Sequence, residues 1–236
     1  MDAHFPAFIL HSRPWHESSL LLDVLTREHG LVKLAARGAK SKRRSSWAAH
    51  LQLFTPLMLQ FKTRGDWWQL TDVEAAGPAF ELRDDAHLCG QYCNELLLRL
   101  LQTHDPHPEI FQHYLTVMTM LAQREDNASA LRQFEWDLLS ALGYGIDLHY
   151  DHVGDGIDAE QYYRYHEQGL WPVAHKTDFD FAGHDILPLA EREWSRAPTA
   201  AKRLLRLMLQ PYLGVEPLRT RELWRQYENL KRLAEE

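Results

Sequence analysis

Arg37, Lys40, Lys42, Arg43 and Arg44 fall within the run RGAKSKRR, with no acidic residue among them. Cations at that density can neutralise several phosphates of a polyanion, and they stand in a chain whose formal net charge is -7. The charge also segregates along the chain: residues 1–80 hold 10 Lys and Arg against 7 Asp and Glu, while residues 81–236 hold 16 against 26. Solubility alone needs no such separation by sign, whereas a local polyanion site does. Aromatic residues accompany the cations, because Trp47 follows the basic run, Trp15 follows Arg13-Pro14, and Trp67-Trp68 follow Lys62 and Arg64. Proteins that hold single strands without reading sequence combine a cationic groove with aromatic platforms, since phosphates need counter-charge and unstacked bases need a stacking partner. The candidate contacts are Arg13, Lys33, Arg37, Lys40, Lys42, Arg43, Arg44, Lys62 and Arg64 for phosphate, with Trp47 beside them. Each tryptophan also suits a core, and neighbours on a strand point to opposite faces, so at most one of Trp67 and Trp68 can face a groove.

Bond-making chemistry has no comparable support. The chain lacks a GxxxxGK[ST] loop, a GxSxG elbow, an HExxH pair and a full GxGxxG fingerprint. Asp151, Asp155 and Asp158 lie near His149 and His152, but their spacing matches neither an EF-hand loop nor a zinc motif. That cluster is the only basis for a rival reading as a metal-dependent nuclease. A second rival is an RNA-binding or regulatory adaptor, although nothing in the sequence targets a 2′-hydroxyl. The reading is of a binding protein that is not an enzyme and needs no cofactor. Cys89 and Cys93, four residues apart on a helical pattern, suit buried thiols better than a disulfide framework. No apolar run approaches the roughly 18 residues of a membrane span. The expected location is cytoplasmic, nucleoid-associated when DNA is bound, with no membrane partner.

The elements that must position these residues are of two kinds. From Phe5 to Glu74 the pattern predicts five strands, at Phe5–Arg13, Ser18–Glu28, Leu31–Ala36, Leu51–Lys62 and Asp66–Glu74. Pro56 implies a bulge or edge position in the fourth. Five strands in about 75 residues fit an oligonucleotide-binding barrel, with an SH3-like barrel also allowed. Gly77-Pro78 punctuates the chain, and beyond Asp84 the apolar period changes from two to about 3.6. Helices are predicted over about 17 residues before Asp105-Pro106, and over Pro108–Arg124, Ala128–Leu142, Thr199–Tyr212 and Thr220–Leu233. Residues 147–185 break the helical pattern, with a small hairpin at Tyr162–His166 and Leu170–Ala174. The expected fold is α+β: a barrel domain at 1–80, then a mainly α-helical domain at 81–236 carrying the insertion at about 147–185.

Four stretches, in this order and spacing, resemble the RecO family of bacterial recombination mediators: AFILHSRPWHESSLLLDVLTREHGLVKLAARGAKSKRR at 7–44, YCNELLLRLL at 92–101, LRQFEWDLLSALGYGIDL at 131–148, and AAKRLLRLMLQPYLGVEPLRTRELWRQ at 200–226. The resemblance implies an oligonucleotide-binding barrel followed by a helical domain. It further implies a protein that binds single- and double-stranded DNA, anneals complementary strands, and with its partner RecR helps load recombinase onto strands coated by single-strand-binding protein. Many members carry a four-cysteine zinc site after the LGYG segment, where this chain has no cysteine; it resembles the zinc-free branch. The resemblance also implies that the helical domain receives the acidic C-terminal tail of single-strand-binding protein. Such a tail needs a hydrophobic slot flanked by cations, for which Arg132, Arg124, Lys202, Arg203 and Arg206 are the candidates. An ordinary helix salt bridge is the competing role for Arg132.

Overall fold

The computed structural model describes residues 3–40, 45–64, 67–123, 126–166 and 169–235, without the side chains of 45, 46, 48, 64, 67, 234 and 235. Five strands, β1 (Phe5–Trp15), β2 (Ser19–Thr26), β3 (Gly30–Ala36), β4 (Leu57–Arg64) and β5 (Trp67–Ala75), form a closed barrel in the order β1-β2-β3-β5-β4. That order, with β3 and β5 parallel and the other pairs antiparallel, is the Greek-key topology of the oligonucleotide-binding fold, and it settles the choice against an SH3-like barrel. The fourth strand starts later than the apolar run suggested. Pro56, which has no N–H to donate, stands just before β4, and its carbonyl accepts the Ala76 N–H at 2.8 Å. A short helix, α1 (Ser45–His50), lies between β3 and β4 and was not foreseen, because six residues are too few to show a helical period.

Inside the barrel, alternate residues of each strand interdigitate. Leu20, Leu22 and Val24 of β2 and Val32, Leu34 and Ala36 of β3 belong to one core with Ala7, Ile9, Leu57, Leu59, Leu70 and Val73. The intervening residues therefore point outward. Part of that outer surface is also buried: Phe8 of β1 sits opposite Leu25, which sits opposite Leu31, and all three are at most 3% exposed. Phe8 packs on Phe111 at 5.5 Å and on Tyr114 at 5.0 Å, so helices cover this end of the barrel.

Those helices are α2 (Asp84–Leu100) and α3 (Pro108–Gln123); α7 (Arg219–Glu235) packs on α2, where the Thr220 N–H donates to Glu95 at 2.9 Å, and all three share a compact unit with the barrel formed by residues 1–125 and 215–236. The change from strands to helices falls near residue 80, but the packing unit extends across it. Gly30 has φ +64° at the β2–β3 turn, and a Cβ there would lie 2.0 Å from the Asp105 carbonyl oxygen, so only glycine lets this turn meet the α2–α3 connection. The α2 helix buries Cys89, Cys93, Leu96 and Leu97, the two thiols being part of its packed face. It also buries Asn94, which donates to the Leu10 carbonyl at 3.0 Å and accepts from the Tyr114 hydroxyl at 2.7 Å. Burial pushes the Tyr114 hydroxyl well above its usual pKa, which keeps it a donor.

The partner of Asn94 is a β-bulge. Ile9 pairs with Val24 and His11 pairs with Asp23, which leaves Leu10 without a cross-strand partner. One extra residue inverts the alternation of the strand beyond it. Before the bulge Ile9 points inward; after it, His11 and Arg13 point outward, each exposed, opposite the outward-facing Asp23 and Leu21.

The second unit, residues 126–214, holds α4 (Asn127–Ala141), a three-stranded sheet of β6 (Tyr162–His166), β7 (Gly169–Val173) and β8 (Phe181–Ala182), and the helices α5 (Gly183–Ala190) and α6 (Pro198–Leu209). The β6–β7 hairpin lies where the sequence predicted it, and α5 is an addition. Asp126 caps α4 by accepting the Ser129 N–H at 3.0 Å, and hydrogen bonding from the Ser129 hydroxyl, with this N–H second, holds its carboxyl below the usual range. Asp180 is buried and accepts from Arg164 Nε at 2.7 Å, from the Thr177 N–H at 2.7 Å and from the Thr177 hydroxyl at 2.8 Å. The Arg164 guanidinium and these hydrogen bonds lower its pKa from 3.8 to about 2.

Two predictions follow from these polar ties. Asn94→Leu removes the donor to Leu10 and the acceptor of Tyr114 at little change in volume, and is expected to destabilise the protein by about 2–4 kcal/mol in urea unfolding; a loss below about 1 kcal/mol would refute the role given to this residue. For Asp180 the folded pKa lies below the unfolded value, so its stabilisation is present above about pH 4 and is lost as pH falls toward about 2. Urea titrations of wild type and Asp180→Ala should therefore differ widely at pH 6 and converge near pH 2, and a gap that stays constant with pH would contradict this.

Candidate nucleic-acid interface

Strand register brings distant cations onto one surface. Arg13 pairs with Leu21, Leu21 with Ala35, Ala35 with Gln69 and Gln69 with Lys62, so Arg13 and Lys62 end one continuous row across all five strands. His11, Asp23 and Lys33 form the adjacent row. On the other side Trp15 pairs with Ser19, and Arg37, one residue past the β3 ladder, continues the outward alternation of Lys33 and Ala35. Its guanidinium lies over the Trp15 ring, 6.0 Å from the centroid. Arg13, Lys33, Arg37, Lys40 and Lys62 are all exposed.

The local electrostatics are mainly cationic. Asp23, the acid within these rows, is engaged by His11 Nδ1 at 3.3 Å. The basic run leaves β3 tethered: the Lys40 N–H donates to the Ser18 carbonyl at 3.0 Å, and the Gly38 N–H donates to the Ser19 hydroxyl at 3.3 Å. The start of the run is thereby pinned beside the β1–β2 turn. Lys42, Arg43 and Arg44 lie outside the described residues, as do Arg124 and the side chains of Arg64 and Trp67.

Three of the expected contacts take other roles. Trp47, on α1, is 8% exposed and belongs to the barrel core with Leu51 and Ala39, so its ring packs the barrel and has no face open for a base. Arg132 is 14% exposed and pairs with the buried Glu135 at 3.0 Å, the helix salt bridge that competed with tail binding. Arg203 donates from its two terminal nitrogens to the carbonyls of Asp178 and Asp180 and lies 3.9 Å over the Phe181 ring, which fixes α6 to the β8 turn. Lys202 and Arg206 remain exposed on α6, four residues apart. Trp68 is the core-side member of its pair, packed on Phe61 at 4.8 Å and stacked on His104 at 5.0 Å.

Sequence reasoning also passed over some groupings. Tyr144 and Tyr212 stack at 3.8 Å while about 40% exposed, and His152 stacks on Trp171 at 3.4 Å. Their separations of 68 and 19 residues give no periodic signal. Among the described residues, the group whose ligand atoms lie within 4.8 Å of one another is His4, Asp72 and Glu74, brought together by closure of β1 on β4 and β5. The Asp151, Asp155 and Asp158 cluster does not converge in that way. Asp151 instead accepts the N–H groups of Val153 and Asp155, both at 3.0 Å, and Asp158 accepts that of Glu160 at 2.9 Å, so these two carboxylates shape turns.

A closed five-stranded barrel of this topology with a cationic outer face defines a class of nucleic-acid-binding modules. Residues 1–79 match the family model Recombination protein O N terminal, and residues 85–222 match Recombination protein O C terminal. The DNA repair protein RecO of Enterobacter sp. (strain 638) is 44% identical over 232 residues, spanning 96% of this chain and 98% of that protein. Its counterpart in Haemophilus influenzae (strain Rd) is 42% identical over 223 residues, spanning 93% and 94%. The chain belongs to the recombination protein O family.

Since Trp47 is a packing residue, Trp47→Phe is expected to leave DNA affinity within about twofold of wild type, while Trp47→Ala lowers stability by about 3–5 kcal/mol. Equal stability but weaker DNA binding in both variants, measured by unfolding and anisotropy titrations, would return Trp47 to the interface.

Proposed function

We propose that this protein, a member of a DNA repair and recombination family, acts as a recombination mediator. It binds single- and double-stranded DNA through the outer face of its barrel without sequence preference, anneals complementary strands and, with RecR, helps load recombinase onto strands coated by single-strand-binding protein. The observation that carries this reading is the open cationic surface of Arg13, Lys33, Arg37, Lys40 and Lys62, to which the sequence adds Lys42, Arg43 and Arg44 directly after Lys40. Its side chains supply multiple, individually weak phosphate contacts, which suit a protein that must hand a strand on. No bond chemistry is needed for that task. Residues 1–80 serve as the DNA-binding part, and the acidic remainder, which repels phosphate, serves contacts with proteins. The acidic tail of single-strand-binding protein docks on the second part, with the exposed Lys202 and Arg206 as its leading cations, since Arg132 and Arg203 are held in contacts of their own. The protein works where its DNA is, in the cytoplasm at the nucleoid; among the described residues no helix is long and apolar enough to cross a membrane.

Each phosphate contact on a single strand contributes about 0.7 to the slope of log affinity against log salt. The triple variant Lys40→Glu/Arg43→Glu/Arg44→Glu should therefore bind more weakly and lose about 2 units of slope. Affinity and slope that match wild type would remove the basic run from the interface. An annealing assay on coated strands, run with and without the acidic tail of the coat, tests the wider reading: annealing that depends on the tail supports it, and no annealing in either case overturns it. Cleavage of the strands on adding magnesium or manganese would instead favour a nuclease.

A further inference from the structure

We propose that Trp15 is the stacking platform for an unpaired base, and that it gives the barrel its ability to tell single-stranded from duplex DNA. This rests on the reading of the outer face as the DNA-binding surface. Three features of the structure converge on this residue. Trp15 is the last residue of β1, at the edge of the cationic face and not in the core, and its ring is half-buried. Arg37 reaches across the small Ser19 to place its guanidinium over the ring, 6.0 Å from the centroid, so the indole already meets a cation at this rim through its π-face. The turn that follows holds the ring in place: His16 adopts φ +55°, in the left-handed region, and its imidazole lies 4.5 Å from Trp15.

The basic run meets this same corner. Its Lys40 N–H is bonded to the Ser18 carbonyl of the β1–β2 turn, so a phosphate held by Lys40 would set the adjoining sugar and base near the Trp15 ring. Duplex bases are already stacked on one another and keep their faces to themselves; a base from a single strand has a face to offer. Phosphate contacts serve both forms of DNA, but the Trp15 contact serves only the unpaired one. Trp47 cannot supply this function, being buried, and Trp68 is engaged on the core side.

The test compares a base-bearing single strand with an abasic deoxyribose-phosphate strand of equal length and charge, using wild type, Trp15→Leu and Trp15→Phe. Leucine keeps apolar bulk without a π-face, and phenylalanine keeps the π-face. Trp15→Leu is expected to bind the base-bearing strand roughly five- to 150-fold more weakly, with its affinity for the abasic strand and its salt slope unchanged, and Trp15→Phe should recover most of the loss. An equal fall for both strands, no fall for either, or failure of phenylalanine to rescue would overturn the assignment. If the wild-type protein binds neither strand in a salt-dependent way, the failure lies in the reading of the whole face; if it binds both and only the Trp15 variants behave like wild type, the failure is confined to Trp15.

Discussion

The hydrogen bond from Asn94 to the carbonyl of Leu10 holds the point on which the exposed face depends. A bulged residue gives up its place in the ladder, and its backbone groups must find partners elsewhere. Here the partner is a buried amide on α2, itself fixed by the Tyr114 hydroxyl from α3. Helices that pack on one end of the barrel thus determine which way the other end of β1 faces. Upstream of the bulge, Phe8 turns to the helices; downstream, His11, Arg13 and Trp15 turn to the open surface. In an uninterrupted strand Arg13 would share the inward parity of Ile9, and the charge would be buried or the strand would shift.

The second constraint is the division of the barrel's exterior. The row Phe8–Leu25–Leu31 is apolar and covered, and two residues along β2 and β3, or three along the bulged β1, the row His11–Asp23–Lys33 is polar and open. One sheet surface therefore does two jobs: burial against helices at one end, presentation of charge at the other. In the unit of residues 126–214 the cations do different work. Arg164 neutralises a buried carboxylate, and Arg203 is spent on backbone carbonyls and an aromatic face, so positive charge there is mostly structural.

Much of this was legible in the sequence, for definite reasons. Alternation marked five strands, the 3.6 period marked the longer helices, and Gly169 marked the hairpin at 162–173. The cationic face was readable in content, since each of its lysines and arginines lies in a strand or beside a turn of the basic first 80 residues. What could not be read was side-chain direction after the bulge, because FPAFILHSRPW carries no mark of an extra residue and the donor that fixes it lies 84 positions away. The choice between tryptophans was equally hidden. Trp47 and Trp15 both neighbour cations, but a six-residue helix turns the first into the barrel and a strand end leaves the second at the rim. Likewise Arg203 and Lys202 are adjacent on an amphipathic helix, and only the tertiary position of residues 178–181 separates a clamped cation from an exposed one.

The joint between β3 and β5 consists of two residue pairs, Leu34 with Trp68 and Ala35 with Gln69, the shortest in the barrel and its one parallel seam. The row from Arg13 to Lys62 runs straight across it. A polyanion lying along that row spans the seam from outside, as a hoop spans the staves of a cask. Occupancy and closure then become linked quantities: whatever holds the row also resists opening of the seam, and a barrel whose seam has parted no longer aligns the two ends of the row.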